Sequence, residues 1–273
     1  MMAVVLPEGY YLSNFTELIN HVTDHYWDLL SLPERDFHHN FKSLDQNTQK
    51  LYVRMTMRKG TTFRASKLHY KDIQSTATAA QILAEQQFID TNPKLKLDDS
   101  LGLFNKNEWL AIVAANDIDA SSLSKVRRQD LNVALKTFFP EYSPTLPGDI
   151  YQILHSEVFD TFKLLFFGNL HQDLTKFVLR DLGLYIYEAY NIDNTPRLFQ
   201  AREHIEQHLT FYRLTNNLDD TLQQTGEAIL EAVRALPCPQ ANDKILARCL
   251  RRTYIKMARQ LERLNQLEDA LIM

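Results

Sequence analysis

Seven basic residues between Asp45 and Asp72 form the pattern with the clearest chemical meaning. The 26 residues 46–71 contain no Asp or Glu, so their net charge is +7. The basic residues are Lys50, Arg54, Arg58, Lys59, Arg64, Lys67 and Lys71. Positive charge concentrated in this way is typical of a surface that binds phosphate groups. We therefore predict that this segment, called here the basic window, contacts a polyanion.

The spacing of these residues predicts a shared helical face. Lys50, Arg54 and Arg58 are four residues apart, which places them along one side of a helix predicted over 48–59 and ended by Gly60. Like charges stacked in this way destabilise a helix unless an anion lies against them. The window itself holds no acid, so the pattern favours phosphate binding. The alternative is a solvent-exposed face whose charges are paired with acids elsewhere in the fold.

The rest of the chain has the opposite charge. The 273 residues hold 30 Lys and Arg against 34 Asp and Glu, a net charge of −4. Outside the basic window the balance is 23 against 34, or −11. An acidic remainder repels a polyanion from other surfaces and leaves one face for docking.

Two other groups of basic residues are weaker candidates. Lys125, Arg127 and Arg128 come just before a predicted helix, where they could contact a nucleic-acid backbone. The other group follows one side of the last predicted helix, and there we expect a solvent-exposed face. Its members are Arg248, Arg252, Lys256, Arg259 and Arg263.

Catalytic and metal-binding patterns are mostly absent. The pairs His21–His25 and His204–His208 lack the Glu that follows the first histidine in a zinc-protease helix. Metal-dependent nucleases commonly use Asp…[Asp/Glu]-x-Lys, in which the carboxylates hold Mg²⁺. None of the 34 acidic residues is followed two positions later by Lys. We therefore expect no catalytic residue, metal ligand or cofactor in this chain.

Composition and periodicity predict a mainly α-helical protein. Seven Gly and nine Pro are few for 273 residues. The segment Phe63–Ala65 is predicted to be extended, Lys67–Ile73 could be helix or strand, and a Pro-rich loop is predicted over 140–148. The predicted helices cover 13–30, 37–44, 48–59, 77–87, 103–113, 131–138, 150–167, 170–182, 201–214, 219–236 and 241–272, with a strand at 184–187. The order of elements over 48–89 is compatible with a winged helix.

The chain shows no sign of a membrane or secreted protein. No apolar run approaches the roughly 20 residues that a membrane span needs. The N-terminus lacks the basic region and apolar stretch of a secretory signal. Cys238 and Cys249 are too few for a disulfide framework or a four-ligand zinc site, so we expect reduced thiols in a cytoplasmic protein without a membrane partner. The last predicted helix ends at Met273 without a cap, which we interpret as part of a longer polypeptide.

Residues 49–73 resemble the signature of the Fanconi-associated nuclease family. The family pattern is Q-x-L-Y-V-R-L-x-x-R-K-G-x-x-F-R-x-x-K-L-x-Y-x-E-I, and this chain has Gln49, Leu51-Tyr52-Val53-Arg54, Arg58-Lys59-Gly60, Phe63-Arg64 and Lys67-Leu68 at the matching positions. Residues 10–15, YYLSNF, resemble the family's opening Y-Y-L-x-N-F, and segments within 167–183 look like the bacterial members. The similarity spans most of residues 10–273.

The resemblance implies a domain order and a function. It implies N-terminal helices over 1–45, a winged-helix-like DNA-binding module over 46–98, a SAP-like module over 99–145, and a helical region over 146–273 leading into TPR-like helices. The residues matched to the family's phosphate contacts are Arg54, Arg58, Lys59, Arg64 and Lys67. The implied partner is double-stranded, flap or branched DNA, with nucleoid association in bacteria.

In that family a C-terminal VRR-NUC domain cuts the phosphodiester with Mg²⁺ or Mn²⁺, and we expect this domain to be missing from the chain. The resemblance therefore predicts the DNA-binding N-terminal part of a structure-specific DNA repair nuclease. The alternative is a helical scaffold that binds a protein partner through residues 150–273 and does not bind nucleic acid.

Overall fold

Helices dominate the part of the chain that the computed structural model describes, which is residues 8–119, 121–172, 174, 197–216, 218–240 and 242–272. The mainly α-helical class predicted from the sequence is thereby confirmed. The chain divides into two units. Unit 1 contains Met1–Phe15 and His38–Ser156, and unit 2 contains Thr16–Phe37 and Glu157–Met273. No described helix is both long enough and apolar enough to span a lipid bilayer.

The elements up to the end of unit 1 are seven α-helices and three short strands among the described residues. They are α1 (Tyr10–Tyr26), α2 (Leu32–Ser43), α3 (Gln46–Thr56), β1 (Thr62–Arg64), α4 (Thr76–Glu85), β2 (Ile89–Asp90), α5 (Leu97–Leu101), α6 (Lys106–Ala115), α7 (Arg128–Phe138) and β3 (Ile150–Ile153).

Helix α3 carries the first half of the basic window. It begins after Asp45, whose carboxylate accepts hydrogen bonds from the backbone amides of Asn47 and Thr48 and so caps the helix. Its apolar side faces a ring cluster, in which Tyr52 packs against Phe15, Phe41 and Phe88. This packing holds α3 in place, because an isolated helix of this length is marginal in water.

The predicted helix over 48–59 ends earlier than expected. Helix α3 stops at Thr56, so Arg58 and Lys59 lie in a loop and not on the helix. The last buried side chain of the helix is Met55, and Met57 is exposed, so a further turn would bury nothing. Gly60 adopts a positive φ of 87° within this loop, four residues after the helix ends. The predicted alignment of Lys50, Arg54 and Arg58 on one helix was therefore wrong for Arg58.

A three-stranded antiparallel sheet joins distant segments of unit 1. The strand order is β1-β3-β2, with Phe63 opposite Tyr151 and Ile89 opposite Ile153. Strand β1 confirms the extended segment predicted at Phe63. The helix predicted over 150–167 was wrong at its start, because Ile150–Ile153 forms the central strand. A buried central strand gives a continuous apolar run that periodicity alone does not distinguish from a helix.

The segment between β1 and α4 follows neither of the two alternatives predicted for 67–73. A single 3-10 turn covers Ala65–Lys67, and the chain then runs without regular structure to the N-cap of α4, Ser75. Leu68 and Ile73 are buried, so this segment is anchored although it is irregular.

A second apolar core lies between α5, α6 and α7. Its centre is Trp109, which is fully buried and donates its indole N–H to the carbonyl of Leu101. The other buried members are Leu95, Leu97, Phe104, Ile112, Val113, Leu131, Leu135 and Ile150. Ile150 belongs to β3, so the sheet and this core are continuous. The division of the chain at 45, 98 and 145 stays a prediction.

Unit 2 is helical in all of its described secondary structure. After α8 (Ser156–Phe167) come α9 (Arg202–Thr215), α10 (Leu218–Thr221), α11 (Gly226–Ala235), α12 (Lys244–Arg263) and α13 (Leu267–Ile272). The helices predicted over 219–236 and 241–272 are each divided into two. The strand predicted at 184–187 and most of the helix predicted over 170–182 lie outside the described residues.

Candidate nucleic-acid interface

Asp72 organises the helical part of the basic window. Its carboxylate accepts a hydrogen bond from the Tyr11 hydroxyl at 2.5 Å and lies 3.4 Å from the guanidinium of Arg54. The Arg54 guanidinium also stacks on the Tyr11 ring, 3.8 Å from its centroid. The ammonium of Lys50 donates to the backbone carbonyl of Asp72 at 3.2 Å. The two basic residues of α3 are therefore tied to one acidic residue.

The charges in this Asp72 cluster stabilise one another. Burial of the Asp72 carboxyl opposes its ionisation, but the hydrogen bond from Tyr11 and the charge of Arg54 outweigh burial and hold its pKa below the ordinary 3.8. Burial, together with the hydrogen bond to Asp72, raises the pKa of the Tyr11 hydroxyl, which stays protonated. The Nε of Arg54 is buried without a hydrogen-bond partner among the described residues. Arg54 is thus a structural cation of unit 1.

Arg58 and three lysines are presented differently from Arg54. Arg58 is exposed, donates to the carbonyl of Lys67 at 3.1 Å and lies 5.6 Å from the centre of the Phe63 ring. Lys59, Lys67 and Lys71 are exposed as well. None of these four side chains forms an ion pair with another residue in the described part of the chain. We call Arg58, Lys59, Lys67 and Lys71 the open cations.

Arg64 connects the basic window to the second core of unit 1. Its guanidinium lies 2.6 Å from the carboxylate of Glu108 and 4.5 Å from the centre of the Phe104 ring. Glu108 also closes the capping box of α6, because its carboxylate accepts a hydrogen bond of 2.8 Å from the backbone amide of Asn105. That amide and the Arg64 guanidinium lower the pKa of the Glu108 carboxyl. Arg64 therefore fixes β1 to the start of α6.

The second basic group separates into internal and exposed residues. Arg128 donates from its guanidinium to the carbonyls of Leu101 and Phe104, at 2.5 and 3.0 Å, so it holds the α5–α6 connection. Lys125 and Arg127 are exposed on the loop before α7. This loop is held by Lys106, whose ammonium donates to the carbonyls of residues 124 and 126.

An open depression of about 560 Å³ lies beside the Asp72 cluster. It is lined by Glu8, Gly9, Tyr10, Arg54, His69, Tyr70, Lys71 and Asp72. Lys71 thus adds an open cation to a concave surface that also carries the tyrosines Tyr10 and Tyr70. A surface with cations beside aromatic rings suits nucleotides, because phosphates meet the cations and bases meet the rings.

The sequence pattern did not identify the partners of Arg54 and Arg64. Asp45 and Asp72 entered the prediction only as the limits of an acid-free window, yet the first caps α3 and the second pairs with Arg54. Glu108 lies 44 residues after Arg64, too far along the chain for spacing to connect them. A usable signal for Asp72 was its place directly after the last basic residue of the window.

The histidine pairs do not form metal sites. The rings of His21 and His25 stack at 4.2 Å, and His208 contacts Asp243 through Nε2 at 2.7 Å. Within the described ranges, no group of three or more His, Cys, Asp or Glu residues could hold a metal ion.

The chain is similar in sequence to a known protein family and to several of its members. Residues 9–90 match the family model described as FAN1, HTH domain. The chain is 34% identical over 245 residues to the Fanconi-associated nuclease 1 homolog of Pseudomonas aeruginosa, a match that covers 87% of this chain and 42% of that relative. It is 28% identical over 233 residues to the Oryza sativa homolog, covering 79% of this chain and 24% of that one.

Two solved structures are similar as well. One is paFAN1 bound to a 2-nucleotide 5′-flap DNA with a gap, with a TM-score of 0.85 and 31% identity over 97% of this chain and 48% of that one. The other is paFAN1 bound to a 1-nucleotide 5′-flap DNA with a gap, with a TM-score of 0.72 and 28% identity over 96% of this chain and 53% of that one. The chain thus spans about half the length of these relatives or less.

Proposed function

The chain belongs to the Fanconi-associated nuclease family, and from this premise we propose that it binds double-stranded, flap or branched DNA as the DNA-binding part of a structure-specific repair nuclease. The open cations are the observation that carries the proposal. Arg58, Lys59, Lys67 and Lys71 are exposed, lack ion-pair partners among the described residues, and lie within the segment that matches the FAN1 HTH domain. Exposed cations of this kind can replace the counterions of a phosphate backbone.

The proposal assigns different tasks to the predicted contact residues. Arg58, Lys59, Lys67 and Lys71 contact phosphates directly, and Lys125 and Arg127 add a second contact from the loop before α7. Lys50, Arg54, Arg64 and Arg128 hold the surface in shape through Asp72, Glu108 and two backbone carbonyls. Phosphate contacts position a protein on DNA without reading its sequence, which suits recognition of a DNA structure.

The modules of unit 1 follow from the same proposal. Helices α3 and α4 with strands β1 and β2 lie within the winged-helix-like module that we propose for 46–98, and α6 and α7 lie within the SAP-like module that we propose for 99–145. The FAN1 HTH match covers residues 9–90, so it includes α1 and α2 and ends at the last residue of β2. The second module enters the chain between β2 and β3, so the Arg64–Glu108 ion pair fixes one module to the other.

The catalytic step belongs to another part of the whole protein. We propose that a VRR-NUC domain outside the described residues carries phosphodiester hydrolysis and holds its Mg²⁺ or Mn²⁺. The chain described here then supplies DNA affinity and orientation. Its place of action is the bacterial cytoplasm, in association with the nucleoid.

A salt titration of DNA binding tests the proposal. Fluorescence anisotropy with a 5′-flap duplex compares the wild-type chain with the triple variant Lys59→Gln, Lys67→Gln and Lys71→Gln. Each lost phosphate contact reduces the slope of log K against log salt concentration by about 0.9, so we expect a reduction of about 2 to 3. A control triple of Lys42→Gln, Arg213→Gln and Arg234→Gln removes the same charge from exposed positions elsewhere.

The control triple separates local contacts from net charge. We expect it to leave the slope within about 0.5 of the wild-type value, because its residues lie outside the proposed interface. Equal slopes for the two triples would contradict binding through the open cations. A wild-type chain that binds no DNA at low salt would contradict the proposed function as a whole.

A further inference from the structure

Helix α12 presents a long basic face whose cations form no ion pair with any described residue. From Lys244 to Leu261 the sequence has six basic residues and no acid. All six are exposed: Lys244, Arg248, Arg251, Arg252, Lys256 and Arg259. At 3.6 residues per turn they fall within an arc of about 140° around the helix. We call these six residues the α12 basic face.

The opposite side of α12 fixes its orientation within unit 2. Leu246, Leu250, Thr253, Met257 and Leu261 are buried and contact the rest of the unit, chiefly α11 and α13. Because five buried residues over four turns allow only one rotation of the helix, the basic face must point to solvent.

The neighbouring acids do not neutralise this face. Helix α11 carries Glu227 and Glu231, α13 carries Glu268 and Asp269, and α12 itself carries the exposed Glu262 three residues after Arg259, within the same arc. Both helices pack on α12, yet no side chain of the α12 basic face forms an ion pair with them or with any other described residue. An ordinary solvated helix surface interleaves both signs of charge, whereas this arc carries six cations and a single acid, Glu262, at its C-terminal end.

Helix stability does not account for the distribution of these charges. Cations stabilise the C-terminal end of a helix, which explains Arg259 in the final turns. Lys244 and Arg248 lie in the first turns, where the helix dipole disfavours positive charge. Arg248 and Arg252 are four residues apart, as are Arg252 and Lys256, so each pair repels. A polyanion lying against the face removes both penalties.

We propose that the α12 basic face is a second DNA-binding surface, which contacts the phosphate backbone of a duplex. From Lys244 to Arg259 the helix rises about 22 Å, and duplex DNA carries one negative charge per about 1.7 Å of its axis. A stretch of duplex of that length carries about 13 phosphates on its two strands, and those on the side facing the helix can meet the six cations. The inference rests on the proposed function, since the same class of ligand contacts both units.

Duplex DNA explains the face better than an acidic protein. The face is formed mainly by arginine and lysine, and the exposed apolar residues within its arc are only Ile245 and Ile255. Protein interfaces have a desolvated core of aromatic or aliphatic residues with charges at the rim. A face with charges across its whole width matches the polar and strongly positive interfaces that proteins form with DNA.

The test is a salt titration of duplex binding with the variant Arg248→Gln, Arg252→Gln and Lys256→Gln. We expect the slope of log K against log salt to fall by about 2 to 3, as three phosphate contacts are lost. The control triple Lys42→Gln, Arg213→Gln and Arg234→Gln should leave the slope within about 0.5 of the wild-type value. A second variant, Arg248→Lys with Arg252→Lys, keeps the charge and should keep the slope, which separates electrostatic contact from a folding defect.

The outcomes distinguish this inference from the proposed function. If the open-cation triple lowers the slope and the α12 triple does not, the second surface is overturned while the proposed interface stands. If only the α12 triple lowers the slope, the second surface stands and the proposed interface fails. If the α12 triple leaves DNA binding unchanged but abolishes binding of poly-L-glutamate, the face binds acidic protein and the DNA proposal is overturned. Loss in both triples, additive when they are combined, supports both surfaces.

Discussion

The basic window of unit 1 and the α12 basic face of unit 2 resemble each other in the number of basic residues, but they differ in how many of those residues are paired with acids. Each is an acid-free stretch with six or seven basic residues. In the basic window, Arg54 and Arg64 are neutralised by Asp72 and Glu108, and Lys50 donates to a backbone carbonyl. On α12 none of the six basic side chains has an acidic partner within the described residues.

The difference teaches that an acid-free window in a sequence is not the same as a free positive surface. Acids outside the window can still pair with its arginines in the folded chain, as Asp72 does at the edge of the window and Glu108 does 44 residues after Arg64. From the sequence, the basic window is the stronger candidate for phosphate binding, and the last helix is predicted to present a solvent-exposed face. In the structure the window has four open cations, whereas α12 presents six.

The largest effect that we predict is on the anchor of the basic window. Replacing Tyr52 by Ala removes a fully buried ring that packs on Phe15, Phe41 and Phe88. We expect the free energy of unfolding to fall by about 3–5 kcal/mol. Denaturant unfolding followed by circular dichroism measures the change. Tyr142→Ala is the control, because Tyr142 is exposed and its removal should cost about 0.5 kcal/mol or less.

A loss of less than about 1 kcal/mol in the free energy of unfolding for Tyr52→Ala would contradict the claim that this packing anchors the basic window. It would mean that α3 does not depend on the aromatic cluster, so the placement of Lys50 and Arg54 would need another cause. The α12 basic face should be unaffected by this variant, since its buried residues belong to unit 2.

A smaller effect is expected at the acid that neutralises Arg54. Asp72→Asn keeps the shape of the side chain but removes the charge that Arg54 and Tyr11 face. We expect the free energy of unfolding to fall by about 1–3 kcal/mol, because Arg54 is left partly buried without its partner. Asp130→Asn, an exposed acid in the first turn of α7, should cost only a few tenths of a kcal/mol.

The pH dependence of this loss has a definite sign. The folded-state pKa of Asp72 lies below its ordinary 3.8, so its carboxylate stabilises the folded state above that pH and loses the effect as the pH falls through the folded pKa. The stability difference between wild type and Asp72→Asn should therefore be full above about pH 5 and shrink toward pH 2. A difference that stays constant across this range would show that the Asp72 charge does not hold Arg54.

The smallest effect that we predict concerns the loop before α7. The pair Lys125→Gln and Arg127→Gln should lower the salt slope of DNA binding by at most about 1.8, or 0.9 per residue, without changing stability. Arg128→Gln is the matched contrast, because its guanidinium holds two carbonyls inside unit 1 and should affect unfolding more than binding. Anisotropy and thermal unfolding on the same samples separate the two results. Equal binding losses from the Lys125/Arg127 pair and from Arg128→Gln would remove the distinction between open and internal cations.

Several features of the fold could be predicted because they depend on local sequence. The mainly helical class follows from periodicity and from the small number of Gly and Pro residues. The extended segment at Phe63 and the amphipathic pattern of α12 follow from side-chain alternation and spacing. In contrast, β3 was predicted as helix, since Ile150, Tyr151 and Ile153 are apolar on both sides of the chain. Its strand partners lie about 60 and 90 residues earlier, so the sequence around β3 does not indicate the pairing.

The sequence by itself determined the charge pattern, the helical class and the resemblance to a nuclease family, because each of these is a property of residue types and their local order. Only the tertiary structure decided which cations have an acidic partner among the described residues. Whether an arginine meets an acid depends on contacts between distant residues, such as Arg64 with Glu108 and Arg54 with Asp72. Those contacts arise when apolar side chains of α3, β3 and α6 are buried together, and burial brings charges side by side without regard to their separation along the chain.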